Sequence, residues 1–311
     1  MPGTLDARRI VDPVLTQLAR GYSNSGLVAD KLFPLVSVNK EGGKIPQFTK
    51  EAFKIYNTER AIRANSNRIN PNVNTSIDFV LTEHDLEYPL DYREINEDML
   101  NLKMRATNVV TDAIALRKEK LCADIAQNPT NFAATNKVTL AAADQFNAST
   151  SDPIATIDSA RSAVRSQIAK NPNVIVMSND VFVALKNHPA ITDKVKYTQH
   201  AVITAELLRL LLQFDALYVA SSVYESDAGV LQDVWNDTVV IAYVPEARSS
   251  NGVEKRSFYE PSFGYTLQMK NYPLVDTYDE KGKVKIVRNT DLFVPKIVGA
   301  DAGFLIIDCL A

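Results

Sequence analysis

The side chains best suited to acid–base or metal chemistry are few in this chain and lie in unrelated contexts. The three histidines, His84, His188 and His200, show no spacing among themselves or to a cysteine that would suit a metal ion. His188 precedes Pro189 at the end of a predicted helix, which favours a capping role. His84 lies between two acidic residues on a predicted strand, which favours a solvent-facing position. The sequence therefore predicts no catalytic residue, no metal site and no cofactor site.

Two further patterns that could bind a ligand fit a structural interpretation better. Gly42-Gly43-Lys44 is the only glycine pair, but it lacks the spacing and the following Ser or Thr of a phosphate-binding loop, so we predict a hairpin or a bulge. Asp276, Asp279 and Glu280 lack the spacing of a calcium loop, and a turn explains them.

A basic cluster is the charged feature that we single out. Arg60, Arg63 and Arg68 follow Glu59 in a stretch rich in asparagine, and Tyr56 is the only aromatic residue nearby. Because single-stranded nucleic acid is bound by stacking on several aromatic side chains, we do not expect a nucleic-acid contact here. Two interpretations stay open: a solvated loop tip, or an intersubunit latch that binds Asp or Glu side chains of a neighbouring copy.

Composition bounds the class of protein. The chain has 311 residues, 46% hydrophobic and 23% charged, with a formal net charge of −3. This is ordinary for a soluble globular protein, and it argues against a dedicated nucleic-acid binder. The apolar runs are too short to span a membrane, and the N-terminus lacks the core of a signal peptide. Only two cysteines occur, Cys122 and Cys309, which favours free thiols in a reducing cytosol over a disulfide framework.

One long helix, from about residue 93 to 128, is predicted to organise the chain. Its apolar or small residues recur in steps of three and four along two successive lines: Ile95, Met99, Leu102, Ala106, Val109, Ala113 and Leu116, then Val110, Ile114, Leu121 and Ile125. A helix of about 36 residues would span roughly 54 Å, which is longer than a small domain is wide. The apolar register is too short for a free coiled coil, so we expect a spine that packs on the C-terminal strands.

Residues 39–90 are predicted to form an extended two-stranded loop. Strand-like runs at 44–48 and 76–81 enclose the basic, asparagine-rich stretch. A two-stranded excursion with so little apolar surface is marginal alone in water. It is either disordered or lies on another surface, and the alternating Ile, Phe and Val residues of its strands favour the second.

The remaining segments predict a mixed α+β protein. A short helix after Asp12-Pro13 and an edge strand around Pro34 precede the loop, and 132–150 is predicted to be a loose connection. The predicted helices and strands of the compact region 151–270 are a helix capped by Asp152, a buried strand at 174–177, a helix capped by Ser178, a helix after Thr204 that is apolar on nearly every face, and strands at 217–220 and 238–244. The C-terminal region is predicted to contain a hairpin over 274–287 and strands at 292–298 and 303–309.

This order of parts resembles the major capsid proteins of tailed bacteriophages, a fold shared with encapsulin nanocompartments. The local sequence is similar at several runs: 29–34, 173–178, 217–219, Trp235 with 239–244, 261–265 and 293–306. The resemblance implies an N-terminal arm at 1–40, an extended loop at 41–90, a peripheral domain at 91–150 and 271–298 that contains the spine helix, and an axial domain at 151–270 and 299–311.

The resemblance also implies a function. Such proteins are structural and non-enzymatic, and they self-assemble into pentamers and hexamers of an icosahedral head shell around the phage DNA. The implied partners are copies of the chain, portal and decoration proteins, and double-stranded DNA through non-specific contact. Since no scaffolding segment precedes the arm, two options stay open: a separate scaffolding protein, or assembly without scaffolding. The implied location is the virion capsid, assembled in the bacterial host cytoplasm. No motif identifies the Lys–Asn pair by which some members cross-link. Two alternatives stay open: an encapsulin-type shell, and an unrecognised cytosolic enzyme.

Overall fold

A computed structural model of the protein describes residues 12–21, 26–46, 55, 58–60, 62, 65–68, 76–97, 101–196, 203–245, 248–250, 253–255 and 262–311. The helices are α1 Pro13–Gly21, α2 Ala29–Leu32, α3 Tyr92–Glu97, α4 Leu102–Ala126, α5 Pro153–Ile168, α6 Asn179–Asn187, α7 Pro189–Val195 and α8 Ala205–Leu211. The strands are β1 Leu35–Val38, β2 Gly42–Pro46, β3 Ser76–Val80, β4 Thr82–Asp91, β5 Lys137–Thr139, β6 Val174–Ser178, β7 Ala216–Ala220, β8 Val223–Glu225, β9 Leu231–Asp233, β10 Val239–Ala242, β11 Arg248–Ser250, β12 Val253–Lys255, β13 Gly264–Met269, β14 Leu274–Glu280, β15 Val284–Ile297 and β16 Gly303–Ile307.

The first of two five-stranded sheets is built around β15. This strand of 14 residues pairs with β14 along residues 284–290 and with β13 along 293–297, so β14 and β13 lie end to end at one of its edges. Its other edge pairs with β4 along residues 284–293. β1 lies parallel to β13 at the border of the sheet, as expected for the strand that follows Pro34.

The second sheet has the order β5-β16-β10-β6-β7 and is covered on both faces. Alternate residues of its central strands enter two different hydrophobic clusters: Ile175 and Met177 pack with α5–α8, whereas Val174 and Val176 pack with the C-terminal half of α4 and with Trp235. A strand that is covered on both faces is apolar throughout, which explains why all five residues of β6 are buried.

The long helix is confirmed, but it is shorter than predicted. The helix α4 has 25 residues and packs against β15 and β4. It begins after Asn101, which has a left-handed backbone (φ 57°) and whose side chain accepts a hydrogen bond from the Met104 N–H, so α3 is a separate helix. The first predicted apolar line is wrong at Val109, which is 45% exposed, whereas the second line is confirmed at Val110 and Ile114, which are buried.

Most predicted helix starts are confirmed by their caps. The side chains of Asp12, Asp152, Ser178 and Thr204 each accept a hydrogen bond from a backbone N–H in the first turn of the helix that follows. The prediction that the helix after Thr204 is buried all round is wrong, because Leu210 is 58% exposed.

Three other boundaries differ from the prediction. The two-stranded loop is formed by β2 and β3, whereas residues 82–91, at the end of the predicted 39–90 loop, form β4 of the first sheet. Residues 132–150 are not a loose connection, because Phe132, Leu140 and Phe146 are buried and β5 pairs with β16. The predicted hairpin over 274–287 is confirmed, but the predicted strand at 292–298 is the second half of β15. None of the helices among the described residues is long and apolar enough to cross a bilayer.

Candidate functional site

The described histidines have structural roles. His188 caps α7 as predicted: its Nδ1 accepts the Ala190 N–H at 3.1 Å, and its Nε2 lies 2.9 Å from the carbonyl of Ala148. The solvent-facing position predicted for His84 is wrong, because its ring is half-buried and stacks on Phe293 with centroids 4.2 Å apart. Burial, helped by Arg117, lowers the pKa of His84. His200 lies outside the described residues. Across the described ranges, no group of three or more His, Cys, Asp or Glu side chains could hold a metal ion.

The root of the extended loop is fixed to the first sheet. β2 and β3 are antiparallel, with Ile45 opposite Ile77 and Gly43 opposite Phe79. The side chains of Ile45 and Phe79 are buried in a cluster with Tyr265 of β13. Burial of side chains of this size contributes about 1.5–3 kcal/mol each. The root is therefore held by apolar packing, and the loop extends from a fixed point.

The loop tip, residues 55–68, contains the predicted contact residues. Glu59, Arg60 and Arg68 are exposed, and Arg63 lies outside the described residues. The Asn67 side-chain amide donates a 3.0 Å hydrogen bond to the carbonyl of Glu59, which brings the two ends of the basic cluster together. The intersubunit role of these four residues stays a prediction.

The loop tip also exposes two apolar side chains that the sequence analysis did not single out as contact residues. Ile55 is 96% exposed and Ile62 is 94% exposed. Sequence could have indicated them, because both are large apolar residues inside a stretch that is otherwise polar. Contact with a partner would remove both side chains from water.

A second arrangement that sequence reasoning missed joins the arm to the long helix. The carboxylate of Glu119 on α4 is buried, and it accepts the Val28 N–H at 3.0 Å and the Ala29 N–H at 2.8 Å, at the start of α2. Its Oε1 also accepts the indole N–H of Trp235 at 2.7 Å. Burial raises the pKa of Glu119, and the three hydrogen bonds only partly offset this. The sequence did indicate that Glu119 faces the core, because this residue lies on the same helical face as Cys122 and Ala123.

A third arrangement joins β14, β15 and β4. Arg288 on β15 pairs with the buried carboxylate of Asp276, and its guanidinium also lies 3.7 Å from Glu87 on β4. The Tyr278 hydroxyl donates a 2.7 Å hydrogen bond to Glu87, which raises the pKa of Tyr278 to about 12. The turn predicted to explain Asp276 is wrong, because this residue lies within β14 and opposite Arg288.

Both cysteines are buried and free, in agreement with the prediction of unpaired thiols. Burial raises the pKa of the Cys122 thiol and of the Cys309 thiol. Neither thiol is therefore set up as a nucleophile. Taken together, the described polar clusters hold segments of the chain to one another, and none of them is arranged for catalysis.

Comparison with known proteins identifies the class. The model of the family described as phage major capsid protein E matches residues 32–253. The major capsid protein of Burkholderia phage BcepMu is 47% identical over 304 residues, which cover 98% of each chain. The crystal structure of a phage-related protein from Bordetella bronchiseptica RB50 has a TM-score of 0.82 and 34% identity, covering 97% of this chain and 98% of that one.

The fold is also found at low sequence identity. The mature capsid of bacteriophage PhiM1 is 13% identical, with a TM-score of 0.56 over 92% of this chain and 87% of that chain. This supports the predicted capsid fold, and the full-length relatives exclude an unrecognised enzyme. The chain therefore belongs to the family of phage major capsid protein E, and it is a structural protein of the virion shell and not an enzyme.

Proposed function

We propose that copies of this chain assemble into pentamers and hexamers that close into an icosahedral shell around the double-stranded DNA of a phage. The observation that carries this proposal is the extended loop. Its root is fixed by Ile45 and Phe79, while Ile55 and Ile62 at its tip are almost fully exposed. Covering these two side chains gains hydrophobic free energy that the single chain leaves unused.

A neighbouring copy is the partner that this geometry favours. If each chain gives its loop to one neighbour and receives a loop from another, the contact is heterologous and closes into a ring. Single contacts of this kind can be weak, because a closed ring makes many of them at once. Glu59, Arg60, Arg63 and Arg68 form the polar part of the same contact, where the arginines pair with acidic side chains of the neighbour.

The division into domains is part of the proposal: arm 1–40, extended loop 41–90, peripheral domain 91–150 and 271–298, and axial domain 151–270 and 299–311. Support comes from the second sheet, in which β6, β7, β10 and β16 belong to the axial set and only β5 to the peripheral set. The first sheet is mixed: β14 and β15 belong to the peripheral set, whereas β1 comes from the arm, β4 from the end of the loop and β13 from the axial set.

The proposed shell also has partners other than copies of the chain. The net charge of −3 favours weak, non-specific contact with packaged DNA, since a strongly basic inner wall would bind the genome tightly. A separate scaffolding protein, a portal and decoration proteins complete the set, and assembly takes place in the cytoplasm of the bacterial host. An encapsulin-type shell would enclose protein cargo, so nucleic acid inside purified particles distinguishes the two shells.

Deletion of residues 56–72 tests the role of the loop. We expect the shortened chain to keep the second sheet folded and to elute as a monomer slightly smaller than the 34.4 kDa of the full chain, whereas the full chain gives capsomers or particles. The matched control replaces the same residues with a Gly/Ser linker of equal length, which keeps the spacing between β2 and β3. Intact shells of the deletion variant in negative-stain micrographs would contradict the proposal.

A further inference from the structure

A small hairpin between β7 and β10 exposes apolar and acidic side chains in a regular pattern. β8 and β9 pair only with each other among the described strands, with Val223 opposite Asp233 and Glu225 opposite Leu231. Because opposite residues of an antiparallel pair share a face, these four side chains lie on one face of the hairpin, and all four are exposed. This face, called here the acidic hairpin face, alternates apolar and acidic residues.

The other face of the hairpin is fixed to the body. Tyr224 packs on the core cluster that contains Trp235, its hydroxyl donates a 2.8 Å hydrogen bond to Gln232, and Lys120 of α4 lies over its ring. The turn is closed by the hydrogen bond from the Ser226 N–H to the Val230 carbonyl at 2.9 Å. The acidic hairpin face is therefore held outward on a well-supported element.

The apolar residues of the acidic hairpin face are open to solvent. Val223 is 48% exposed and Leu231 is 71% exposed. Residues 223–233 also contain three acidic side chains and no basic one. A surface that combines exposed apolar anchors with one sign of charge fits a partner segment that combines apolar anchors with the opposite sign.

The chain itself contains such a segment. The loop tip has two almost fully exposed isoleucines and three arginines against one glutamate. We propose that the loop tip of one copy docks on the acidic hairpin face of a second copy, with Ile55 and Ile62 against Val223 and Leu231. Arg60 and Arg68 then lie against Glu225 and Asp233. This inference rests on the proposed function and names the surface that receives the loop.

Cross-linking between copies tests the contact directly. Cys122 and Cys309 are buried, so thiols introduced at exposed positions form disulfides without competition from the native ones. In assembled chains that contain both Ile62→Cys and Leu231→Cys, copper–phenanthroline oxidation should give a ladder of dimers and larger species on a non-reducing gel. The control pair is Ile62→Cys with Val14→Cys on the exposed part of α1. We expect about tenfold more cross-linking for the first pair, because docking holds its thiols at a high effective concentration.

A charge exchange gives an independent measurement. Glu225→Lys with Asp233→Lys should lower the yield of particles, and adding Arg60→Glu with Arg68→Glu on the same chain should restore it. Asp144→Lys with Asp193→Lys makes the same charge change at exposed positions away from the hairpin, and it should leave the yield unchanged.

The outcomes separate this inference from the proposed function. Particles of the cysteine variant without cross-linking above the control pair, or a disulfide formed only within one chain, would overturn the docking surface alone. The docking surface would also be overturned if the charge exchange failed to restore the yield of particles. If the unmodified chain forms no particles, the proposed function fails, and the docking surface fails with it.

Discussion

The indole N–H of Trp235 donates a 2.7 Å hydrogen bond to Oε1 of Glu119, which joins the long helix α4 to the connection between the small hairpin and β10. The same carboxylate accepts the backbone N–H groups of Val28 and Ala29, so one side chain holds three distant segments of the chain. Because burial raises the pKa of Glu119, this joint has a pH dependence with a definite sign.

The first prediction concerns Glu119→Gln. Since the folded pKa of Glu119 lies above its ordinary value of 4.5, the folded state binds this proton more tightly than the unfolded state. The contribution of this residue to the free energy of unfolding is fully present below pH 4.5 and is lost as the pH rises through the folded pKa. Urea unfolding of both chains between about pH 4 and pH 8 should therefore give a difference, unmodified minus variant, that falls with rising pH. A difference in the free energy of unfolding that stays the same at every pH would contradict the raised pKa of Glu119.

The second prediction concerns Arg288→Met. This change leaves the buried Asp276 carboxylate without its cation and should lower the free energy of unfolding by about 3–5 kcal/mol. Lys285→Met on the same strand is the matched control, because it removes a more exposed pair with Asp279 and should cost no more than about 1 kcal/mol. Denaturant titration measures both, and equal losses would show that burial of Asp276 does not decide the effect.

The third prediction concerns the thiols. In the folded chain, Cys122 and Cys309 should react with a thiol reagent only slowly at pH 8, because both are buried and burial raises the pKa of each. In urea, two thiols per chain should react rapidly. A surface cysteine introduced at Val14, which is 74% exposed and lies outside the acidic hairpin face, supplies the fast reference in the folded state. Rapid reaction of a native thiol in the folded chain would disprove its burial.

The fourth prediction concerns the arginines of the loop tip. Replacing Arg60, Arg63 and Arg68 by Glu should lower the yield of assembly most at low salt, because acidic side chains would then face acidic side chains. Added salt screens charges, so it should weaken assembly of the unmodified chain and partly relieve the defect of the variant. Replacement by Gln should have an intermediate effect. A yield that is unchanged at every salt concentration would leave the three arginines as solvated residues.

Local signals in the sequence were sufficient for much of the fold. Helix starts at Asp12, Asp152, Ser178 and Thr204 could be predicted, because a cap bonds the backbone only two or three residues further on. The buried strand β6 could be predicted for a similar reason, since a sheet covered on both faces requires an uninterrupted apolar run.

Structural features that depend on contacts between residues far apart in the sequence could not be predicted from local patterns. Glu119 bonds to residues 91 and 116 positions away, so its acceptors are filled only once the chain has folded. The sequence predicts two strands where the structure has β15, because Thr290 and Asp291 interrupt the apolar pattern. Both residues are nevertheless buried, and Asp291 accepts a hydrogen bond from the side-chain amide of Gln268 on β13. The start of α4 depends on the left-handed backbone of Asn101, a residue that is also acceptable within a helix.

The loop strands continue into the first sheet on both sides: β1 precedes β2, and β3 leads into β4, which pairs with β15 over ten residues. Tension applied to the loop would act along β4 and not across it. Such a shearing load is shared by the whole ladder of backbone hydrogen bonds, so no single bond has to resist it. The loop that is proposed to contact a neighbouring copy is thus anchored along the strand direction, in which a sheet is hardest to pull apart.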